Sequence, residues 1–217
     1  MSEARFAILD TIRRQLGADA DVREMVQEDA AVGYARIPRT YQRTTTLDHE
    51  AVLELFYDRL RDYDSELMFT DEAGIPAAVD NAMAAAGEKL LLVPVGVPDA
   101  WLPHQVEVRR DEDLPLQPLE EPRVVLSGCT VGIAMSGTIV LEHGAEQGRR
   151  AATLLADHHI CVIHRSQVVE TISEALARMQ YRAGPITTIA GPSATSDIEM
   201  TRIRGVHGPR RLTAVIL

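Results

Sequence analysis

Between residues 66 and 95 the chain runs from ELMFT through IPAAVDNAMAAAG to KLLLVPV. The outer two segments are short apolar runs with the look of strands. The middle one has a proline near its start and Gly87 just past its end, the signature of a helix. A strand–helix–strand succession of this length sends the chain back across a sheet to run parallel to where it began. The alternation recurs downstream through VVLSG, AATLLADHH, ICVIH, QVVETISEALARM, ITTIAG and LTAVIL. The predicted fold class is therefore α/β, a mainly parallel sheet with flanking helices. One exception to the parallel order is expected in VVLSGCTVGIAMSGTIVLEHG, where Ser136-Gly137 between two β runs signals a hairpin.

Around this frame the local signals predict further elements. The first 33 residues read as two helices, one with Phe6, Leu9, Ile12 and Leu16 on a face and Gly17 as its stop. Asp21 caps the second, which carries Val22, Met25 and Val26 and closes at Gly33. This segment, 1–33, packs as an appendage or contributes to a subunit contact in a homo-oligomer, and residues 34–217 form a single α/β domain. Thr46 is placed to cap a helix with Val52, Leu53, Phe56 and Leu60 on its buried stripe. A proline-rich acidic stretch at about 103–122 reads as an exposed connector. AEQGRRAATLLADHH is expected to be helical despite Gly148, Ser166 to cap QVVETISEALARM, and SDIEMTRIR to form a short helix.

Charge and composition exclude several function classes. The net charge of −10 argues against general affinity for nucleic acid or an anionic membrane. No apolar run reaches the length of a membrane span. MSEARFAILD lacks the basic and apolar regions of a secretory signal, which predicts a cytoplasmic protein. Lys89 is the only lysine against 21 arginines, so no Walker-type phosphate loop exists. Cys129 and Cys161 are too few for a four-thiolate cluster and read as buried small residues. His158, His159 and His164 in DHHICVIH are not expected to hold a metal, since 159 and 164 fall on opposite faces of a regular strand. Ser136 in AMSGT lacks the first glycine of a nucleophile elbow and reads as a turn residue.

The densest chemistry lies in GPSATSDIEMTRIRGVHGPRRL, residues 191–212. Ser196 and Glu199 have capping-box spacing, and Gly205 fits a C-terminal cap. Ahead of them, small residues between a strand's carboxyl end and a helix start would point backbone amides outward. Gly191, Ser193, Thr195 and Ser196 are thus candidate binders of a phosphate or carboxylate. Asp197 can occupy the helix's positive end, bind a ligand hydroxyl or act as a base. Gly208-Pro209 would hold His207 and Arg210 in fixed directions, the histidine to move a proton and the guanidinium to grip a carboxylate.

This terminal motif closely resembles the signature of the lactate-utilisation protein C family, the LUD domain. EARFAILDTIRRQLG, LLVPVGVPDAW and GIAMSGTIVL fall in the family's order, so the resemblance spans nearly the whole chain. It implies the fold shared by ribose-5-phosphate isomerase, sugar-phosphate deaminases and CoA transferases, a Rossmann-like α/β domain. It also implies bacterial oxidation of L-lactate to pyruvate, with iron–sulfur clusters carried on partner proteins and no cofactor on this chain. The family's features fall on Gly137 and Thr138 of the hairpin. They fall also on Gly191, Ser193, Thr195, Asp197, Glu199, Gly205, His207, Gly208, Pro209 and Arg210. Asp197, Glu199 and His207 are the catalytic candidates. The binding candidates are Gly137, Thr138, Gly191, Ser193, Thr195, Ser196, Gly208 and Arg210, with lactate, pyruvate or a phosphate compound as the small anion. Where the family's hairpin reads Ala-Glu-Thr-Gly-Thr, this chain has Met135-Ser136 after Ala134, and a thioether cannot transfer a proton. Alternatives are a stand-alone sugar-phosphate or acyl-CoA enzyme and a non-catalytic binding or regulatory module.

Overall fold

The computed structural model describes residues 3–15, 32–38, 40, 44–112, 122–179, 184–195, 203–204 and 208–217. They fall into two compact units, Met1–Tyr41 and Gln42–Leu217. The first contains helix α1 (Glu3–Gln15) and a helical turn at 32–36 that includes Gly33, which therefore does not end a helix. The second helix expected from Asp21 onward lies mostly outside the described residues.

The second unit opens with α2 (His49–Asp62), capped by Asp48, whose carboxylate accepts the Ala51 amide at 2.9 Å. Thr46, the cap expected from sequence, is committed elsewhere. The Glu170 carboxylate accepts the Thr46 amide at 2.7 Å and the Thr45 hydroxyl at 2.6 Å. A distant acidic partner thus outcompetes the local capping role. Asp48→Ala should cost about 1 kcal/mol and lower Tm by about 2–4 °C in a thermal melt.

Strand β1 (Glu66–Phe69), helix α3 (Ile75–Ala86) and strand β2 (Leu90–Pro94) follow, with Gly87 ending α3 at φ 72°. The expected connector contains a strand, β3 (Glu107–Asp111), which pairs with β2 from Leu90↔Glu107 to Pro94↔Asp111. Its alternation of charged residues with Val108 suits a sheet edge, which is why composition alone reads it as loop. Residues 113–121 lie outside the described set. β4 (Val124–Ser127) enters the same sheet. β5 (Val131–Ile133) and β6 (Thr138–Leu141) form the expected antiparallel hairpin through a 3-10 turn at Ala134–Ser136 and Gly137 at φ 58°.

Helix α4 covers only Arg150–Leu155, because Gly148 takes φ 64°, which no helix interior permits. β7 (His158–Ile163) is fully buried. Ser166 does not cap a helix; it sits in a 3-10 turn at Arg165–Gln167. The β-branched pair after it forms β8 (Val168–Val169), drawn out of the expected helix by pairing with Gly132 and Ile133. The helix α5 (Ile172–Arg178) begins after Thr171, which makes a reciprocal capping box with Glu174. β9 (Thr187–Ile189) then pairs with β6. β10 (Ala194–Thr195) and β11 (Ile203–Arg204) pair antiparallel, so the helix expected at 196–204 does not reach its last two residues. The rest of that helix lies outside the described residues. β12 (Arg211–Ile216) completes the fold.

The large sheet has the order β1-β12-β7-β4-β2-β3, with every pairing parallel; the smaller one runs β8-β5-β6-β9. Successive β7 residues serve opposite faces, as strand geometry requires. Cys161 and Ile163 pack with Phe56 and Leu60 of α2 and with Ile139 and Leu141 of the small sheet. Ile160 and Val162 pack with Ile75, Val79 and Met83 of α3. Burial on both faces explains why the parallel strands read as unbroken apolar runs.

Candidate functional site

After β9 the chain turns through Ala190-Gly191-Pro192-Ser193. Gly191 sits at φ 80°, and a Cβ there would lie 2.4 Å from Tyr63 Cβ at the end of α2. Only glycine allows this approach. The Ser193 amide donates to the Pro209 carbonyl at 2.7 Å, which ties the turn to the Gly208-Pro209 segment. These two segments, Thr153 and Leu154 of α4, His159 of β7 and Leu212 of β12 enclose a cavity of about 250 Å³.

Sequence reasoning placed a ligand at strand carboxyl ends. The turn does follow the carboxyl end of β9, but β9 belongs to the small sheet. Against the large sheet the cavity lies at the opposite, amino edge, since His159 and Leu212 are each the second residue of their strands. They are register partners there.

His159 is the most informative side chain in the wall. It is 1% exposed, and its Nε2 lies 2.7 Å from Ser127 Oγ. The Ser127 hydroxyl donates to the Gly128 carbonyl at 2.9 Å. Which of the two atoms donates follows from the tautomer of the ring. Nδ1 is buried with no hydrogen-bond partner in the protein. Burial, with His158 and His143 nearby, pushes the pKa down to about 3, so the ring is neutral at physiological pH.

A second relay leads to the same wall. His143, held at φ 55°, places Nδ1 2.9 Å from the Gly148 carbonyl and Nε2 2.8 Å from Thr187 Oγ1. Nδ1 must donate to the carbonyl, so in the neutral ring Nε2 accepts from Thr187. Burial pushes this histidine's pKa down as well. Thr153 Oγ1 donates to the Arg150 carbonyl at 3.1 Å. Thr153, Thr187 and His159 all line the cavity, the two hydroxyl protons committed within the protein.

The expected members of the site are dispersed. Gly191, Ser193 and Gly208 line the cavity. Arg210 does not: it is exposed, and its guanidinium approaches Asp157 at 3.8 Å. It borders a different hollow of about 220 Å³ with Arg123, Arg211 and His158. Arg123 forks onto Asp157 there, and Arg211 pairs with Glu66 at 2.8 Å. Among the described residues lining the first cavity no side chain carries charge. Gly137 faces α2, where a Cβ would lie 2.7 Å from Arg59 Cβ, and Thr138 Oγ1 lies 2.7 Å from Ser136 Oγ. Neither lines the cavity; Gly137, like Gly191, lets α2 approach closely. Met135 is 54% exposed on the hairpin tip. Thr195 lies in β10, paired with Ile203. Ser196, Asp197, Glu199, Gly205 and His207 lie outside the described residues.

The sequence reading missed His159, Ser127, His143 and Thr187. The available signal was a polar pair, His158-His159, heading a strand that is otherwise wholly apolar. Cys129 and Cys161 are both buried; a hydrogen bond with Cys161, together with burial, pushes the Cys129 thiol well above its ordinary range. Among the described residues no group of three metal-ligating side chains occurs, and no helix is long and apolar enough to cross a membrane.

The LUD domain family matches residues 117–217. Lactate utilization protein C of Deinococcus radiodurans is 41% identical over 182 residues, which cover 82% of this chain and 84% of that protein. The chain belongs to the LUD-domain family of lactate utilization protein C. Lactate utilization protein C of Bacillus pumilus is 26% identical over 98% of this chain and 96% of its own length. A crystal structure of a DUF162 family protein from Deinococcus radiodurans shares 36% identity, covers 78% of this chain and 98% of that one, and superimposes with a TM-score of 0.68. All residues lining the first cavity fall inside the matched LUD domain, whereas β1, α3, β2 and β3 precede it.

Proposed function

We propose that this LUD protein acts in bacterial L-lactate utilisation, the oxidation of lactate to pyruvate, and that the cavity at the amino edge of β7 and β12 receives its small acid ligand. The observation that carries this reading is the cavity itself. It lies wholly within the LUD match, is framed by the family motif at Gly191, Ser193, Gly208 and Pro209, and has a neutral buried histidine, His159, in its wall. Its volume suits a three-carbon acid rather than a dinucleotide. With the redox centre carried on iron–sulfur partner proteins, this chain binds and presents the acid and the partners take the electrons.

Calorimetry with L-lactate, pyruvate and inorganic phosphate tests the site. Thr188 lines the cavity and is exposed, so Thr188→Trp should fill the opening without disturbing the core. The expected result is binding of a three-carbon acid by the wild type and a loss of at least about tenfold in Thr188→Trp. In a reconstituted system, lactate-dependent reduction of an artificial acceptor should stop when this chain is omitted. Undiminished reduction without it would overturn the assignment.

A further inference from the structure

The loop 144–148, between β6 and α4, lies across the carboxyl ends of two neighbouring strands of the large sheet. The Gly96 amide, just beyond β2, donates to the Ala145 carbonyl at 3.1 Å, and the Gly128 amide, next after β4, to the Glu146 carbonyl at 3.1 Å. Strand order reverses at this point, since β2 leads outward to β3 and β4 the other way to β7. Open α/β sheets leave a crevice there, and here the chain's own loop covers it. The loop is held at its end by His143, whose Nδ1 donates to the Gly148 carbonyl at 2.9 Å while Nε2 accepts from Thr187 Oγ1 at 2.8 Å. Thr187 also lines the cavity. A single hydroxyl therefore stands between loop and cavity, and it has one proton to give.

We propose that Thr187 and His143 form a hydrogen-bond switch: an acid bound in the cavity takes the Thr187 hydroxyl proton as its hydrogen bond, His143 changes tautomer, and the loop over the carboxyl ends of β2 and β4 is loosened. This rests on the reading of the cavity given above and describes the regulation of that site. An ionised carboxylate is a stronger acceptor than a neutral imidazole, so an acid within reach draws the hydroxyl away from Nε2. Nε2 and the Thr187 oxygen would then face each other as two acceptors, which is unfavourable. The ring relieves this by carrying its proton on Nε2, where it donates to Thr187, and Nδ1 is left bare against the Gly148 carbonyl. One proton leaves Nδ1 for water and one reaches Nε2 from water, so the ring's charge is unchanged and no bond to the ligand forms. Burial opposes the alternative of protonating both nitrogens. Gln147 remains held by Thr130 and by the Glu142 amide, so the loop loosens at Gly148 rather than detaching. The coupling is reciprocal: a change that removes the imidazole's claim on Thr187 strengthens acid binding.

Nitrogen NMR on the full chain, isotopically labelled at histidine, reads the tautomer directly, with the His143 signals identified by their loss in His143→Phe. The free protein should show the Nδ1–H form. Saturating pyruvate should convert it to Nε2–H and raise amide hydrogen exchange across 144–148 about tenfold. Thr187→Val should still bind pyruvate in calorimetry, yet show the same tautomer and the same exchange with and without it. Thr187→Ser keeps the hydroxyl and should keep both responses. His143→Phe, checked for folding by circular dichroism, should bind pyruvate at least about fivefold more tightly, because nothing competes for the proton. Thr188 and Ser193 also line the cavity, and a ligand held by their hydroxyls alone leaves His143 as it was. Pyruvate binding with tautomer and exchange unchanged overturns the inference and leaves the cavity assignment intact, as does a response that survives in Thr187→Val. Binding of neither pyruvate nor L-lactate by the wild type overturns both.

Discussion

Acidification from pH 7.5 to pH 5 should destabilise the folded chain by on the order of 3–4 kcal/mol, more than any single exposed substitution. The cause is the histidine pair that heads β7. His158 is 2% exposed and His159 1%. Burial pushes the pKa of His158 down to about 4, assisted by the positive charge of Arg211, and that of His159 down to about 3. In the unfolded chain both titrate near about 6.5. Above that pH both states hold neutral rings and the pair leaves stability unchanged. As pH falls below it, the unfolded chain takes up two protons that the native state refuses, and stability declines through about pH 4 for His158 and about pH 3 for His159. Burial of Glu66 opposes its charge, but hydrogen bonds from Arg211 and Thr213 prevail and hold its carboxyl low, which adds to the loss at the acid end. Urea midpoints between pH 7.5 and 5 measure the slope. Replacing either histidine by glutamine should remove about one proton from it. A flat profile would mean that the native state accommodates the charged rings.

The second large effect is expected from one ion pair. Asp111, the last residue of the edge strand β3, has a side chain only 2% exposed. It accepts Arg149 Nε at 2.9 and 3.1 Å on its two oxygens and Arg149 Nη2 at 2.7 Å. Arg149→Met leaves a buried carboxylate without its cation and should cost about 3–5 kcal/mol. The double variant Arg149→Met, Asp111→Leu removes both charges and should recover most of that loss, because a well-packed apolar pair has no charge to desolvate. A double-mutant cycle in urea gives the coupling directly. Since Arg149 precedes α4, whose Thr153 and Leu154 wall the cavity, ligand affinity should fall along with stability in the single variant and return in the double.

Much of the architecture was legible before any coordinates. ELMF, IPAAVDNAMAAA and LLLVP form the strand–helix–strand unit as their patterns indicate, and the hairpin around Gly137 is present. Misreadings fall where a distant partner overrides a local signal. Thr46 satisfies Glu170 rather than its own helix, Val168 and Val169 join β5, and EVRRD pairs with LLLVP although its charges suit a loop. The site was legible only in outline. The motif segments at 191–193 and 208–209 do line one cavity, yet the side chain expected to grip an anion, Arg210, turns away beside Asp157. His159, which does line the cavity, belongs to no motif.

From the amino acids alone follow the α/β class, the parallel sheet and the family motif, because periodicity, caps and glycine positions act within a few residues of chain. Tertiary structure decided which edge of the sheet that motif would border and which faces its polar residues would serve. In a strand, neighbours point oppositely, so His158 and His159 are sent to two different hollows by the register of β7 between β4 and β12. That register is set by contacts tens of residues away, and no local pattern encodes it.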